Sequence, residues 1–545
     1  MKTELLLGDE AVGLATIHSN IAGAFSYPGT PATEIFEFIA RRTRDTDTIS
    51  ARWSANEKVA YEEALGMSYA GKRAVVSMKH VGLNVAADPF INSALTGVNG
   101  GLVVVVADDP GMHSSQNEQD SRYLAEFAKI PALEPSNQQE CYDFTREAFE
   151  LSERVGLPVM VRVVTRLAHS RAIVQVADAA PRAEKADPAR AFPDPNDWTL
   201  IPANARRRFR RLLDVQPQLQ EYSQQSPFNT LRLTGKRGII ASGIAYNYVT
   251  EVLGDNQDDS LLKVATYPLP LNLLRQLVDH CEQIVVVEDG YPYIETRLNG
   301  LLGLPGKTIQ GKASGVLPPT GELTPDVVAA AFDRQPAAAF EPLGDLPGRP
   351  PALCKGCPHA DTFKAMLEAT AEHASAVLFS DIGCYTLGCL PPFKAVQSCV
   401  DMGASISMAH GAAQAGVFPV LCTIGDSTFT HSGMTGLIGA AKADADLTVF
   451  ILDNATVAMT GGQTTMAHGD DLLELLAGLG VKKERMQVIE PLPKHHAANV
   501  EAIARAINHR GLSVIVAQRA CIQIKKPRTT DSKKAKPAAV SAGGA

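Results

Sequence analysis

The sequence has no apolar run near the roughly 18 residues that a membrane-spanning helix needs. Its longest candidate, "GLVVVVA", is strand-sized and runs straight into Asp108 and Asp109. The amino terminus, "MKTELLLGDEAVG", lacks the long apolar region and small-residue cleavage site of a secretory signal. A cytoplasmic protein without a membrane partner is expected. Cysteine is scarce and odd in number, at nine residues in 545, which excludes a disulfide framework. Any clustered thiols are then candidates for metal or cluster ligation. Basic excess is lacking too: the net charge is −8, so bulk attraction to nucleic acid is not expected. No G-x-G-x-x-G follows a strand-like run, which argues against a nicotinamide dehydrogenase. No short-period repeat is present, so a solenoid is excluded.

What is there suits an ordinary globular chain, 45% hydrophobic and 20% charged, long enough for about three to four domains. Short β-branched runs alternate with helical spacing. "AVVSMKH" and "GLVVVVADD" read as buried strands, and "ATEIFEFIARR" and "NEKVAYEEALGMSYAG" as helices, the second stopped by Gly71. This βαβα alternation predicts an α/β fold of mainly parallel sheets. The expected divisions are a first domain over 1–175, a Pro/Ala/charge-rich linker with a helix over 176–235, and a second α/β domain over 236–341. A second linker covers 342–353, a third α/β domain 354–525, and a basic disordered tail 526–545.

The strongest chemical signal lies in the third domain. A buried strand ends in Gly425-Asp426-Ser427, and a second delivers Asp453-Asn454-Ala455-Thr456 after one intervening helix. Gly, Asp and Asn also suit plain strand-end turns. Together, at the ends of two buried strands, they suit a diphosphate held through Mg²⁺, which wants hard oxygen ligands. Asp426 supplies a carboxylate, Asn454 an amide oxygen and Thr456 a main-chain carbonyl. Gly425 lets the backbone approach, and the following helix start offers N–H donors. The crevice beyond the carboxyl ends of parallel strands is where such ligands sit.

The GD…N spacing resembles the thiamine diphosphate motif. "YPGTPATEI", "NEKVA", "MKHVGLNVAADP", "ADDPGMHSSQNEQDSR", "ALCKGCPHADTF", "SDIGC", "GDSTFTHSGM" and "DNATVAMTGGQ" resemble the blocks of the indolepyruvate-type 2-oxoacid:ferredoxin oxidoreductases, alpha subunits. The blocks run from near residue 26 to 463. The resemblance implies three doubly wound domains: pyrimidine-binding, transketolase-C-terminal-like and diphosphate-binding. It places the cofactor between the first and the last, often across a dimer interface. By block match, Glu57 is the glutamate that hydrogen-bonds the aminopyrimidine and helps its amino group take the thiazolium C2 proton. Read alone, Glu57 also suits a helix-start charge complementing the dipole; Glu62 and Glu63 are weaker candidates. Thr30 matches a position near the substrate's reacting carbon. Lys79, His80 and Asn84, just beyond a strand, are pocket candidates for the substrate carboxylate. Asp109, His113, Ser114 and Gln116 form a second such loop.

"CKGCPH", residues 354–359, raises its own question. A structural zinc site wants four ligands, and no second C-x-x-C exists. A redox pair opening the helix "ADTFKAM" is not excluded. A [4Fe–4S] cluster needs four thiolates, which can be distant in sequence. The expected set is Cys354, Cys357, Cys384 at a strand end and Cys521 after the last strand, and the resemblance supports all four. Cys389 and Cys399 compete for the third place. Cys422 reads as core, Cys141 and Cys281 as structural, and His359 as a cofactor neighbour or a helix-start residue. Family members usually continue into a ferredoxin-like domain with eight more cysteines, and none follows Cys521 here. Electrons are therefore expected to pass directly to an external carrier or through a partner subunit.

The expected activity is oxidative decarboxylation of a 2-oxoacid, an arylpyruvate such as indolepyruvate, to acyl-CoA and CO₂. Thiamine diphosphate, Mg²⁺, a [4Fe–4S] cluster and coenzyme A are the expected cofactors and co-substrate. A smaller gamma-type (indolepyruvate oxidoreductase beta-like) subunit and ferredoxin or another acceptor are the expected partners, in a dimer of heterodimers. The rival readings are a non-oxidative thiamine diphosphate decarboxylase or carboligase, and a non-catalytic scaffold or electron-transfer subunit.

Overall fold

The computed structural model describes residues 2–45, 49–177, 198–255, 258–335, 344 and 350–524. The basic tail, residues 178–197 of the first expected linker and most of the second lie outside these residues. The chain divides into two compact units, 1–347 and 348–545.

The first unit holds two larger sheets. The seven-stranded one has the order Thr266–Tyr267, Ala132–Leu133, Val159–Val164, Leu102–Asp108, Ala74–Lys79, Gly23–Ser26, Ser50–Trp53. All neighbours are parallel except Thr266–Tyr267, which pairs antiparallel with Ala132–Leu133. Leu102–Asp108 is buried along its whole length. That is why its sequence is a continuous apolar run rather than an alternation: helices cover both faces of a parallel sheet. Strands Ala74–Lys79 and Leu102–Asp108 end side by side, Lys79 opposite Ala107. Asn56 caps helix Glu57–Tyr69 by accepting from the Val59 amide at 2.9 Å, which sets Glu57 in the first turn.

The five-stranded sheet has the order Thr308–Gln310, Gln283–Val287, Arg237–Ser242, Ser260–Val264, Thr230–Arg232. The segment expected as a linker carries a 24-residue helix, Pro202–Gln225, and the edge strand Thr230–Arg232. A buried charge network joins the two sheets. Arg162 donates to Asp108 Oδ2 at 2.7 Å and also pairs with Glu134. Arg122 meets Asp120 Oδ2 at 2.5 Å and Glu288 Oε2 at 3.0 Å. Neither arginine is more than 1% exposed, so each depends on these partners for its charge.

The second unit is built on one parallel sheet, ordered Ser398–Cys399, Val377–Ser380, Val420–Gly425, Leu447–Asp453, Ser513–Gln518, Met486–Ile489. Register places Gly425 opposite Leu452 and Asp453 opposite Gln518. The carboxyl ends of three central strands therefore finish level, and Asp426, Asn454 and the segment leading to Cys521 leave the sheet at one edge. No helix among the described residues is long and apolar enough to cross a membrane.

Candidate active site

In the second unit, Cys357 is the N-cap of helix Pro358–Ala369, whose first residue is Pro358. Its amide donates to the Cys354 carbonyl at 3.0 Å, which folds the C-x-x-C loop. Cys384 opens the 3₁₀ turn Cys384–Cys389 after strand Val377–Ser380. Cys521 lies just beyond strand Ser513–Gln518, and its amide donates to the Asn454 carbonyl at 3.1 Å. These four thiol residues, with His359 and Asn454, line one cavity of about 110 Å³. Burial and the neighbouring Cys357, Cys521 and Cys354 push the Cys384 thiol up to about 11. Four soft sulfur donors lining one cavity fit iron or another thiophilic metal. Of the rival cysteines, Cys389 and Cys399 do not line the cavity, and Cys399 instead faces Thr386. Cys422 is fully buried in its strand, as are Cys141 and Cys281 in the first unit.

His359 is buried, which pushes its imidazole down to about 4 and keeps it neutral. Asn454 Oδ1 accepts from the Thr456 amide at 3.2 Å, so its Nδ2 end faces His359 Nε2 at 3.3 Å. His359 Nε2 therefore accepts, and the ring proton sits on Nδ1.

The residues expected to hold a diphosphate stand at the same sheet edge. Asp426 is 2% exposed; one carboxylate oxygen accepts from the Ser427 amide at 2.9 Å and the other has no partner. Burial and the nearby Asp453 push its carboxyl up to about 8. A buried, half-satisfied acid beside a second acid fits a hard cation such as Mg²⁺. Asp453 is occupied locally, accepting from the Ala455 and Gly469 amides. Ser427 and Thr456 are buried alongside, and the Thr456 hydroxyl donates to the Gln463 carbonyl at 2.9 Å. A Cβ at Gly425 would sit 2.9 Å from the Tyr385 ring, so the smallness of this residue makes room for that ring. The helical run begins at Asp426 itself and passes through a π-type turn, Phe429–Gly433.

In the first unit, a separate group assembles at the ends of strands Ala74–Lys79 and Leu102–Asp108. Lys79 Nζ donates to the Ser114 carbonyl at 3.1 Å, and the Ser114 hydroxyl donates to the Thr30 carbonyl at 3.2 Å. Asp109 accepts from Ser114, Ser115 and Thr165. Burial pushes the Lys79 ammonium down to about 8, against the pull of Asp109 and Glu57. Glu57 is buried against Gly82, where a Cβ would come within 2.7 Å of its side chain. Thr30, Glu57, Lys79, Asp109 and Ser114 are thus brought together. His80 turns to Asn117, and with Asn84 it lines a cavity of about 430 Å³ bounded by Asp120, Tyr123 and Tyr291. His113 points to Glu322 at the surface, and Gln116 is exposed. Glu62 and Glu63 are engaged elsewhere, with Lys58 and with Arg52 and Ser54.

Comparison with known proteins gives the family. The chain is 37% identical to "Indolepyruvate oxidoreductase subunit IorA" of Archaeoglobus fulgidus, over 95% of this chain and 86% of that one. It is 36% identical to the protein of the same name from Methanothermobacter thermautotrophicus, with the same coverage. The chain belongs to the IorA family of thiamine diphosphate-dependent 2-oxoacid:ferredoxin oxidoreductases. Two family descriptions match the IorA-type chain: "Pyruvate flavodoxin/ferredoxin oxidoreductase, thiamine diP-bdg" over residues 15–225, and "Thiamine pyrophosphate enzyme, C-terminal TPP binding domain" over 381–517. A solved "2-oxoglutarate:ferredoxin oxidoreductase from Magnetococcus marinus" is 17% identical, with a TM-score of 0.48, over 61% of this chain and 65% of that one.

Sequence reasoning missed a neighbour of this IorA-family site. Asp381 ends strand Val377–Ser380 as Asp426 ends Val420–Gly425. It accepts from the Ser405 hydroxyl at 2.7 Å and from the Tyr385 hydroxyl. Burial pushes it up to about 7. The Tyr385 ring meets His359 edge-on at 6.1 Å. The signal was present in "FSDIGC", where an acid closes a buried strand just as in "IGDS".

Proposed function

We propose that this chain is the catalytic subunit that oxidatively decarboxylates a 2-oxoacid, an arylpyruvate such as indolepyruvate. The balance is R–CO–COO⁻ + CoA–SH → R–CO–S–CoA + CO₂ + H⁺ + 2 e⁻, with the electrons leaving through a [4Fe–4S] cluster to ferredoxin or another carrier. The observation that carries the redox part is the cavity lined by Cys354, Cys357, Cys384, Cys521 and Asn454. Thiamine diphosphate, when bound, supplies the acidic carbon and the electron sink that decarboxylation requires.

The chain's own residues do the rest. Asp426, the Asn454 amide oxygen and the Thr456 carbonyl hold Mg²⁺, with Gly425 and Ser427 framing the diphosphate. Glu57 hydrogen-bonds the aminopyrimidine and moves its proton. Lys79, cationic below about pH 8, meets the substrate carboxylate, and Thr30 flanks its keto carbon. His80 borders the pocket. His359, neutral and fixed by Asn454, excludes water between cofactor and thiols. The IorA relatives are named as subunits, and we propose a smaller beta-like (gamma-type) partner here, in a dimer of heterodimers.

Anaerobically purified protein with that partner should hold about four irons and four sulfides per chain, the content of one such cluster. It should reduce a low-potential dye only when both a 2-oxoacid and coenzyme A are present. Release of aldehyde with no iron bound would replace this reading with a non-oxidative decarboxylase.

A further inference from the structure

Three side chains in the first unit converge with no role in the reaction above. Asp9 lies in the first turn of helix Gly8–His18, and Glu34 in the first turn of helix Thr33–Thr43. His169 is the last residue of helix Thr165–His169. One ligand atom from each lies within 4.8 Å of the other two. Asp9 has no exposed surface, and among the described residues neither of its carboxylate oxygens has a hydrogen-bond partner. Glu34 Oε2 stands 3.5 Å from His169 Nε2, as an ion pair when the imidazole is protonated.

Helix-start acids often complement the dipole from the surface. That account does not cover Asp9, because a carboxyl group removed from water without partners costs several kcal/mol. The neighbouring Glu10 does not relieve it: Glu10 accepts from the Leu7 amide at 3.0 Å and meets Arg41. Among the described residues no lysine or arginine forms an ion pair with Asp9. The buried acid faces a second acid and an imidazole, and the missing charge is positive.

We propose that Asp9, Glu34 and His169 bind a divalent transition-metal ion of the Zn²⁺ class, with solvent completing the coordination. Two carboxylates and one imidazole are zinc-type donors at about 2.0–2.2 Å, which puts neighbouring donors about 3.4 Å apart in a tetrahedron. Small side-chain rotations reach that from a 4.8 Å span. Glu34 and His169 are part-exposed, which gives the ion a route in and a place for water. The ion ties two helix starts to one helix end in the first unit. It shares no ligand with the thiol cavity or the Asp426 edge.

The test is zinc titration by calorimetry and thermal melting of the full chain carrying Cys354→Ser and Cys357→Ser, so that the thiols do not compete. On that background the protein should take up one zinc equivalent more than its Asp9→Asn version, and its melting temperature should rise with zinc. Without zinc, Asp9→Asn should melt higher, because it removes the unpartnered acid. Should Asp9→Asn not fold, part-exposed His169→Gln serves in its place and should lose the same equivalent. Equal zinc uptake and equal melting shifts with and without the substitution would overturn the proposal.

Discussion

Arg122 and Arg162 in the first unit meet Asp108, Asp120, Glu134 and Glu288 directly, whereas the buried acids at the strand ends of the second, Asp381 and Asp426, meet hydroxyls and amides but, among the described residues, no cationic side chain. Both places remove charge from water. In the first, opposite charges from two sheets satisfy each other and the site is closed. In the second, no compensating charge is present among the described residues. A buried acid with its partner in place reads as architecture, and one without reads as a socket. By that criterion Asp9 belongs with the second group although it sits in the first unit.

The contrast is broken most strongly by removing one side of the closed network. Arg162→Met should destabilise the first unit by about 3–5 kcal/mol, because it strands Asp108 and Glu134. Urea unfolding would show it, and a loss under 1 kcal/mol would mean the network is not the staple described. Asp426→Asn should do the reverse. It should cut 2-oxoacid-dependent dye reduction by roughly 10²–10³-fold, from several kcal/mol of lost metal clamping, without lowering the melting temperature of cofactor-free protein.

pH sharpens the same comparison. The Asp426 carboxyl is pushed up to about 8 from an ordinary 3.8, so the folded state holds its proton through a window where the unfolded chain has lost it. This contribution to stability therefore falls as pH rises from about 4 to 8. Cofactor-free wild type should lose stability relative to Asp426→Asn between pH 5 and pH 8, by about 1–3 kcal/mol. A gap that does not change with pH in urea unfolding would show that Asp426 is already compensated. The smallest effect concerns the rival thiols. Cys389→Ser and Cys399→Ser should leave iron content unchanged in anaerobic metal analysis, while Cys384→Ser should lower it.

Much of the α/β architecture was legible because buried parallel strands have a plain sequence signature: "GLVVVVADD" and "LTVFILDN" are continuous and end in acids. Strand ends also exposed the candidate residues of the second unit, since Asp426, Asn454, Cys384 and Cys521 follow such runs. Asp381 follows one too, but "SDIGC" drew attention to its cysteine rather than its acid. The arginine network was harder to see. Arg162 interrupts "VMVRVV", a clear oddity, yet its partners Asp108, Glu134 and Asp289 are scattered along the chain and only packing unites them. Asp9, Glu34 and His169 come from three helices and share no motif. That Gly425 also makes room for the Tyr385 ring is a contact that spacing does not encode.

The position of Cys521 has a consequence for biosynthesis. Its place beside Asn454 depends on strand Ser513–Gln518 being paired to Leu447–Asp453. At ordinary elongation speeds, the stretch from Cys354 to Cys521 takes roughly 10–30 s to translate. For that time the first two thiols are held by the growing chain without the fourth wall of their pocket. An inorganic group held by all four thiols would be delivered only after that strand has paired, and scaffold proteins that donate such groups would have to recognise that paired state rather than the nascent C-x-x-C loop.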